Sequence, residues 1–154
     1  RAEAARRQMA SDIERRREEH NRMQDAVGAL RVACRVRPLS SSEKASKTEA
    51  VVDIAHGDGV EHAITVMHVG AGDKEAKPRT FEFTHVYGPD SKQEDVFADT
   101  SPLMTSVLDG YNVCIFAYGQ SGTGKTHTME GHDGDPGLSP RAMSKLAEET
   151  LAPP

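Results

Sequence analysis

The string Gly119-Gln120-Ser121-Gly122-Thr123-Gly124-Lys125-Thr126 satisfies G-x-x-x-x-G-K-[ST] and constrains this chain more than any other feature. Glycines let the backbone curl so that successive N–H groups converge on phosphate oxygens. Lys125 has the reach and charge to contact β- and γ-phosphates, and the Thr126 hydroxyl is of the type that ligates Mg²⁺. A helix starting near Lys125 would turn its positive end toward the anion. The flanks support this reading over a flexible Gly/Ser linker. Val113-Cys114-Ile115-Phe116-Ala117 is a continuous apolar run of strand length, expected to be a strand buried on both faces, and a helical stretch is expected after the loop. An α/β class and a nucleotide site follow.

The chain ahead of the cradle falls into two regimes. Residues 1–31 carry eight arginines and six acids, no proline and no Phe, Tyr or Trp. A heptad frame places Ala2, Met9, Arg16, Met23 and Leu30 at d, and Arg6, Ile13, His20 and Val27 at a. Arg6, Arg16 and His20 interrupt that seam, so a solvated lone helix and a coiled-coil segment both remain open. Gly28 lowers helix propensity and sets the expected boundary near 27–30. Arg1 is not an initiator methionine, and the expectation is a piece of a longer chain.

Beyond the boundary, residues 30–36 alternate in a strand pattern closed by Pro38, and residues 39–49 read as a surface loop. Short strands are expected at 50–54, 63–69 and 79–83. Ser91 and Glu94 form an S-x-x-E capping box for a helix with Val96, Phe97, Leu103, Met104, Val107 and Leu108 on its apolar side. Pro102 should kink or divide that helix, and Gly110 should end it. Cys34 and Cys114 are far apart and in no paired motif, which excludes a disulfide framework or thiolate zinc site, and on expected core strands they read as buried, inert thiols. His56, His62, His68, His85 and His132 lack ligand-like spacing and read as solvated or locally hydrogen-bonded. Glu130, Asp133 and Asp135 read as a turn because Gly and Pro separate them. No apolar run approaches the roughly 20 residues of a membrane span, and the net charge of −5 argues against nucleic acid as a partner.

The residues around the cradle carry a specific resemblance. Leu108-Asp109-Gly110-Tyr111-Asn112-Val113-Cys114-Ile115-Phe116-Ala117-Tyr118-Gly119-Gln120, continued by His127-Thr128-Met129-Glu130-Gly131, resembles the kinesin motor domain. Cys34-Arg35-Val36-Arg37-Pro38 is similar to the family's RxRP strand, Phe81–Tyr87 to its F-x-F-D-x-V-F stretch, and Gly137–Ala142 to its G-I-I-P-R-A. A helix running into Leu30–Arg35 is similar to kinesins whose motor follows the coiled coil, a class that usually moves toward the microtubule minus end. Ala29 stands where that class usually has Asn, and Ala33 where a large aromatic is common.

The resemblance implies a P-loop NTPase fold, an incomplete kinesin-like motor core (30–154) preceded by a coiled-coil neck helix (1–29). It implies ATP or ADP with Mg²⁺ as ligands, the base lying between Arg35, Pro38 and His127, the phosphates on Gly119 to Thr126, and the metal on Thr126. The family's switch loops, N-x-x-S-S-R-S-H and D-x-x-G, do not follow the cradle within these residues. No catalytic residue is therefore expected here, and microtubule contact is expected from other parts of the motor. A homodimer or partner helix through the neck, and a cytoplasmic, cytoskeletal location, complete the expectation. A non-motile structural kinesin-like protein and an unrelated nucleotide-binding module are the alternatives.

Overall fold

A computed structural model of the chain describes residues 2–28, 30–46, 51–54, 62–68 and 76–151. In chain order the elements are α1 (Ala2–Val27), β1 (Ala33–Arg35), α2 (Ser41–Ala45), β2 (Val52–Ile54), β3 (Ala63–His68), β4 (Lys77–Glu82) and β5 (His85–Tyr87). They continue with α3 (Gln93–Leu108), α4 (Lys125–Met129), β6 (Gly131–His132), β7 (Asp135–Pro136) and α5 (Leu138–Leu151). Two compact units contain them: residues 31–92, and residues 1–30 together with 93–154. Ala29 and His56 lie outside the described residues.

In the unit of residues 31–92, β1 pairs in parallel with β5, matching Cys34 to Val86 and Arg35 to Tyr87. Val86 and Tyr87 are buried, so the short parallel pair sits on the apolar centre of this unit. The 30–36 strand is shorter than its alternation suggests, because only Ala33–Arg35 are laddered. β2, β3 and β4 form an antiparallel sheet in that order, with Ala63 and Ile64 of β3 buried. Pro78 is on β4, an edge strand among the described strands, where a missing N–H removes no interior ladder bond.

The expected loop at 39–49 is partly helical. Ser40 Oγ accepts from the Glu43 N–H, and the Glu43 carboxylate accepts from the Ser40 N–H at 2.7 Å, a capping box that starts α2. Arg37 closes on the same carboxylate at 2.6 and 2.8 Å and also donates to the Pro38 carbonyl. These bonds hold the Glu43 carboxyl down at about 2, the Arg37 hydrogen bond contributing most. Cys34 is only half-buried, yet burial still pushes its thiol pKa up.

In the other unit, α3 packs against α5, and Val96 and Met104 of α3 and Leu138 of α5 are buried. α3 begins at Gln93, so Ser91 stands two residues ahead of its first turn. Pro102 does not divide this helix, contrary to expectation. The carbonyl deprived of a donor is that of Ala98, an exposed residue whose backbone water can reach. α1 ends at Val27, and Gly28, with φ of 97°, takes the left-handed conformation that terminates helices. α1 lies against α3: His20 Nε2 is 3.1 Å from the Pro102 carbonyl and 3.3 Å from Ser106 Oγ.

The clearest correction concerns residues 113–117. Among the described residues no strand ladders with them. Val113, Ile115 and Ala117 are half-buried, whereas Cys114 is exposed and Phe116 and Tyr118 are 75% and 96% exposed. Apolar content specifies a preference for burial, but a ladder also needs neighbouring strands, and this unit's described residues supply none to it.

Candidate nucleotide site

The cradle turns its carbonyls inward. The Gln120 carbonyl accepts from Thr123 Oγ1 at 2.8 Å, from the Thr123 N–H at 3.4 Å and from Lys125 Nζ at 2.8 Å. Lys125 Nζ also donates to the Gly119 carbonyl at 2.8 Å. Among the described residues, the backbone N–H groups of Ser121, Gly122, Gly124, Lys125 and Thr126 have no protein acceptor. Two of the loop's carbonyls are occupied and several of its N–H groups are left over, the arrangement that an anion receptor needs.

Glycine is required at two of these positions for different reasons. A Cβ on Gly119 would lie 2.6 Å from Thr123 Oγ1, the atom tied to the Gln120 carbonyl. Gly124 caps α4 with φ of 99°, a conformation that costs side-chain-bearing residues roughly 1 kcal/mol or more. α4 has only five residues, so an anion at this loop would be met by its N–H groups rather than by a long helix dipole.

α4 is not the final helix of the described chain. It runs by Glu130 N–H to the Thr126 carbonyl and Gly137 N–H to the Glu130 carbonyl into the hairpin β6–β7, and then into α5. The turn expected across Glu130, Asp133 and Asp135 is this hairpin, with Asp133 and Gly134 at its tip.

Thr126 and His127 are exposed, and Lys125 is half-buried. The Thr126 hydroxyl has the donor chemistry for Mg²⁺, and the residues present fit that ion beside a phosphate group. The His127 ring stacks with His132, the centroids 5.8 Å apart. Gln93, 1% exposed, donates from Nε2 to the His127 carbonyl at 2.5 Å. Gln93 escaped the sequence reading, although its spacing to Val96 and Phe97 puts it in register with the buried stripe. Arg35 and Pro38 belong to the unit of residues 31–92. There the Arg35 guanidinium donates to the Ser91 carbonyl at 3.2 Å, and Pro38 is exposed.

The family description "Kinesin motor domain" matches residues 35–152. The chain belongs to the kinesin motor domain family. Kinesin-like protein KIN-14E of Oryza sativa subsp. japonica is 47% identical over 142 residues, which is 90% of this chain and 12% of that protein. Kinesin-like protein KIN-14R of Arabidopsis thaliana is 46% identical over 134 residues, covering 87% of this chain and 12% of the relative. Among solved structures, the C-terminal motor and motor homology domain of Kar3Vik1 fused to a synthetic heterodimeric coiled coil superposes with a TM-score of 0.75 at 29% identity. It matches over 92% of this chain and 36% of its own. The chain thus spans about an eighth of the length of the first two curated relatives. Its fold is that of a kinesin P-loop motor domain in part, and the family binds nucleotide and microtubules. No helix among the described residues is long and apolar enough to cross a membrane.

Proposed function

We propose that this chain is the nucleotide-binding part of an ATP-driven kinesin motor that moves along microtubules, of the class with the motor after its coiled coil and with minus-end movement. One observation carries the proposal: among the described residues, Ser121, Gly122, Gly124, Lys125 and Thr126 present backbone N–H groups without protein acceptors, beside the Lys125 ammonium. The triphosphate of ATP, or the diphosphate of ADP, lies on those groups. Lys125 exchanges the Gly119 and Gln120 carbonyls for β- and γ-phosphate oxygens, and Thr126 holds Mg²⁺. The metal supplies charge neutralisation of the phosphates when bound. The resemblance assigns the base to Arg35, Pro38 and the exposed His127 ring, each a flat surface suited to stacking.

In this reading residues 1–29 are a neck helix that pairs with a second copy or with a partner helix. The KIN-14 relatives and the C-terminal motor of the Kar3Vik1 structure support the class. Hydrolysis and track contact fall to regions outside these residues, in a cytoskeletal setting. A fluorescent-ATP titration of the full-length protein against its Lys125→Ala variant tests the site. Loss of a charge-assisted contact should weaken binding at least about tenfold. Equal binding by both folded proteins would overturn the assignment.

A further inference from the structure

We infer that Gln93 is a positioning residue for the nucleotide base, acting through His127; the inference rests on the base-binding role proposed for His127. Gln93 opens α3, and its side chain is completely enclosed. A buried amide is expensive unless its hydrogen bonds are satisfied, so its partners identify what it is for. Its Nε2 faces the His127 carbonyl at 2.5 Å and the His127 ring Nε2 at 3.5 Å. The carbonyl can only accept, which makes the facing atom the NH₂ group rather than the amide oxygen. The second N–H of that group then points to the ring nitrogen, which must accept, and the imidazole proton belongs on Nδ1.

One buried amide therefore fixes both the backbone and the ring of His127. His132 flanks the same ring at 5.8 Å with an interplanar angle of 23°. The imidazole is held at its edge by Gln93 and beside one face by His132, while His127 as a residue stays exposed. A stacking platform contributes most when its orientation is set before the ligand arrives. The Gln93 bonds described run to His127. Its influence should reach the base and not the phosphates.

The test uses the full-length protein and two probes, Mg·ATP and Mg·tripolyphosphate, the second having no base. Gln93→Leu should weaken ATP binding about three- to tenfold, the size of one neutral hydrogen bond, and leave tripolyphosphate binding within twofold. His127→Ala should show the same selectivity, and adding Gln93→Leu to it should cost nothing further. Equal weakening of both probes by Gln93→Leu would mean general support of the cradle and would overturn the inference. His127→Ala weakening ATP alone while Gln93→Leu weakens neither probe would overturn the positioning role and leave the base site standing. No effect of His127→Ala on either probe would remove the base site itself. Ring ¹⁵N spectra of the unsubstituted protein give an independent reading that needs no variant to fold: His127 should be the Nδ1–H tautomer, and the Nε2–H tautomer would contradict the geometry.

Discussion

Arg17 Nε stands 2.9 Å from Asp109 Oδ1, joining the arm to the turn that leads toward the cradle. The pair is asymmetric, the Arg17 side chain being 58% exposed and that of Asp109 only 5%. Asn21 Nδ2 reaches the other carboxylate oxygen at 3.5 Å. Removing Arg17 leaves an enclosed carboxylate with one long hydrogen bond as its described partner on α1. Arg17→Ala should cost about 1–2 kcal/mol, between the values for exposed and for buried pairs. A double-mutant cycle with Asp109→Ala, read by denaturant unfolding, checks it; additive losses would show that the ion pair contributes nothing.

His20 has two competing uses. The heptad frame gives it an a position in a seam, yet its imidazole is spent on the Pro102 carbonyl and Ser106 Oγ. His20→Leu should tighten association of the arm with a second helix, seen by sedimentation, because an apolar a residue replaces a polar one. The same change should speed amide exchange in α3 around Ser106, whose hydroxyl is buried and loses a partner. Unchanged exchange there would mean that α1 does not rest on α3 in solution.

Gly119→Ala should weaken phosphate binding, since the new methyl meets Thr123 Oγ1 at 2.6 Å and pushes it from the Gln120 carbonyl. Thr123→Ala in the same protein should restore part of the loss by clearing that space. Tripolyphosphate titration of the single and double variants reports both effects.

The Glu43 carboxyl is held at about 2 against an ordinary 4.5, so its contribution to α2 is complete above about 4.5 and is lost as pH falls through about 2. Arg37→Met removes the largest cause and should move the Glu43 midpoint back toward the ordinary carboxylate range. Carbonyl NMR shifts of Glu43 follow it directly. A midpoint left near 2 in the variant would assign the effect to Ser40 instead.

Local chemistry was legible where local residues decide the outcome. The G-x-x-x-x-G-K-T string, the arm helix ending beside Gly28 and the Asp133–Gly134 hairpin each depend on a handful of neighbours. α2 was missed because Ser41–Ala45 has no apolar stripe to read; its signal was Ser40 with Glu43 three residues on. Pro102 was over-read, since a lost hydrogen bond matters little where the orphaned carbonyl is exposed. The roles of His20 and Gln93 were hidden for a different reason. Their partners lie 82 and 34 residues away, and no local pattern encodes them. Cys114 was placed in the core on the strength of its apolar neighbours, and it is exposed because the segment carrying it has no ladder in this unit.

The phosphate loop has a load path on its α4 side. Downstream, backbone hydrogen bonds link Thr126 to Glu130, Glu130 to Gly137 and Gly137 to Arg141, tying the loop to α5. Upstream, the Tyr111 N–H donates to the Ser106 carbonyl at 3.0 Å and ties the turn back to α3. The loop is thereby clamped at its α4 end to a relay of single backbone bonds. A shift of α5 would pass along that relay to Thr126 and on to Lys125, whose ammonium is held by the Gly119 and Gln120 carbonyls.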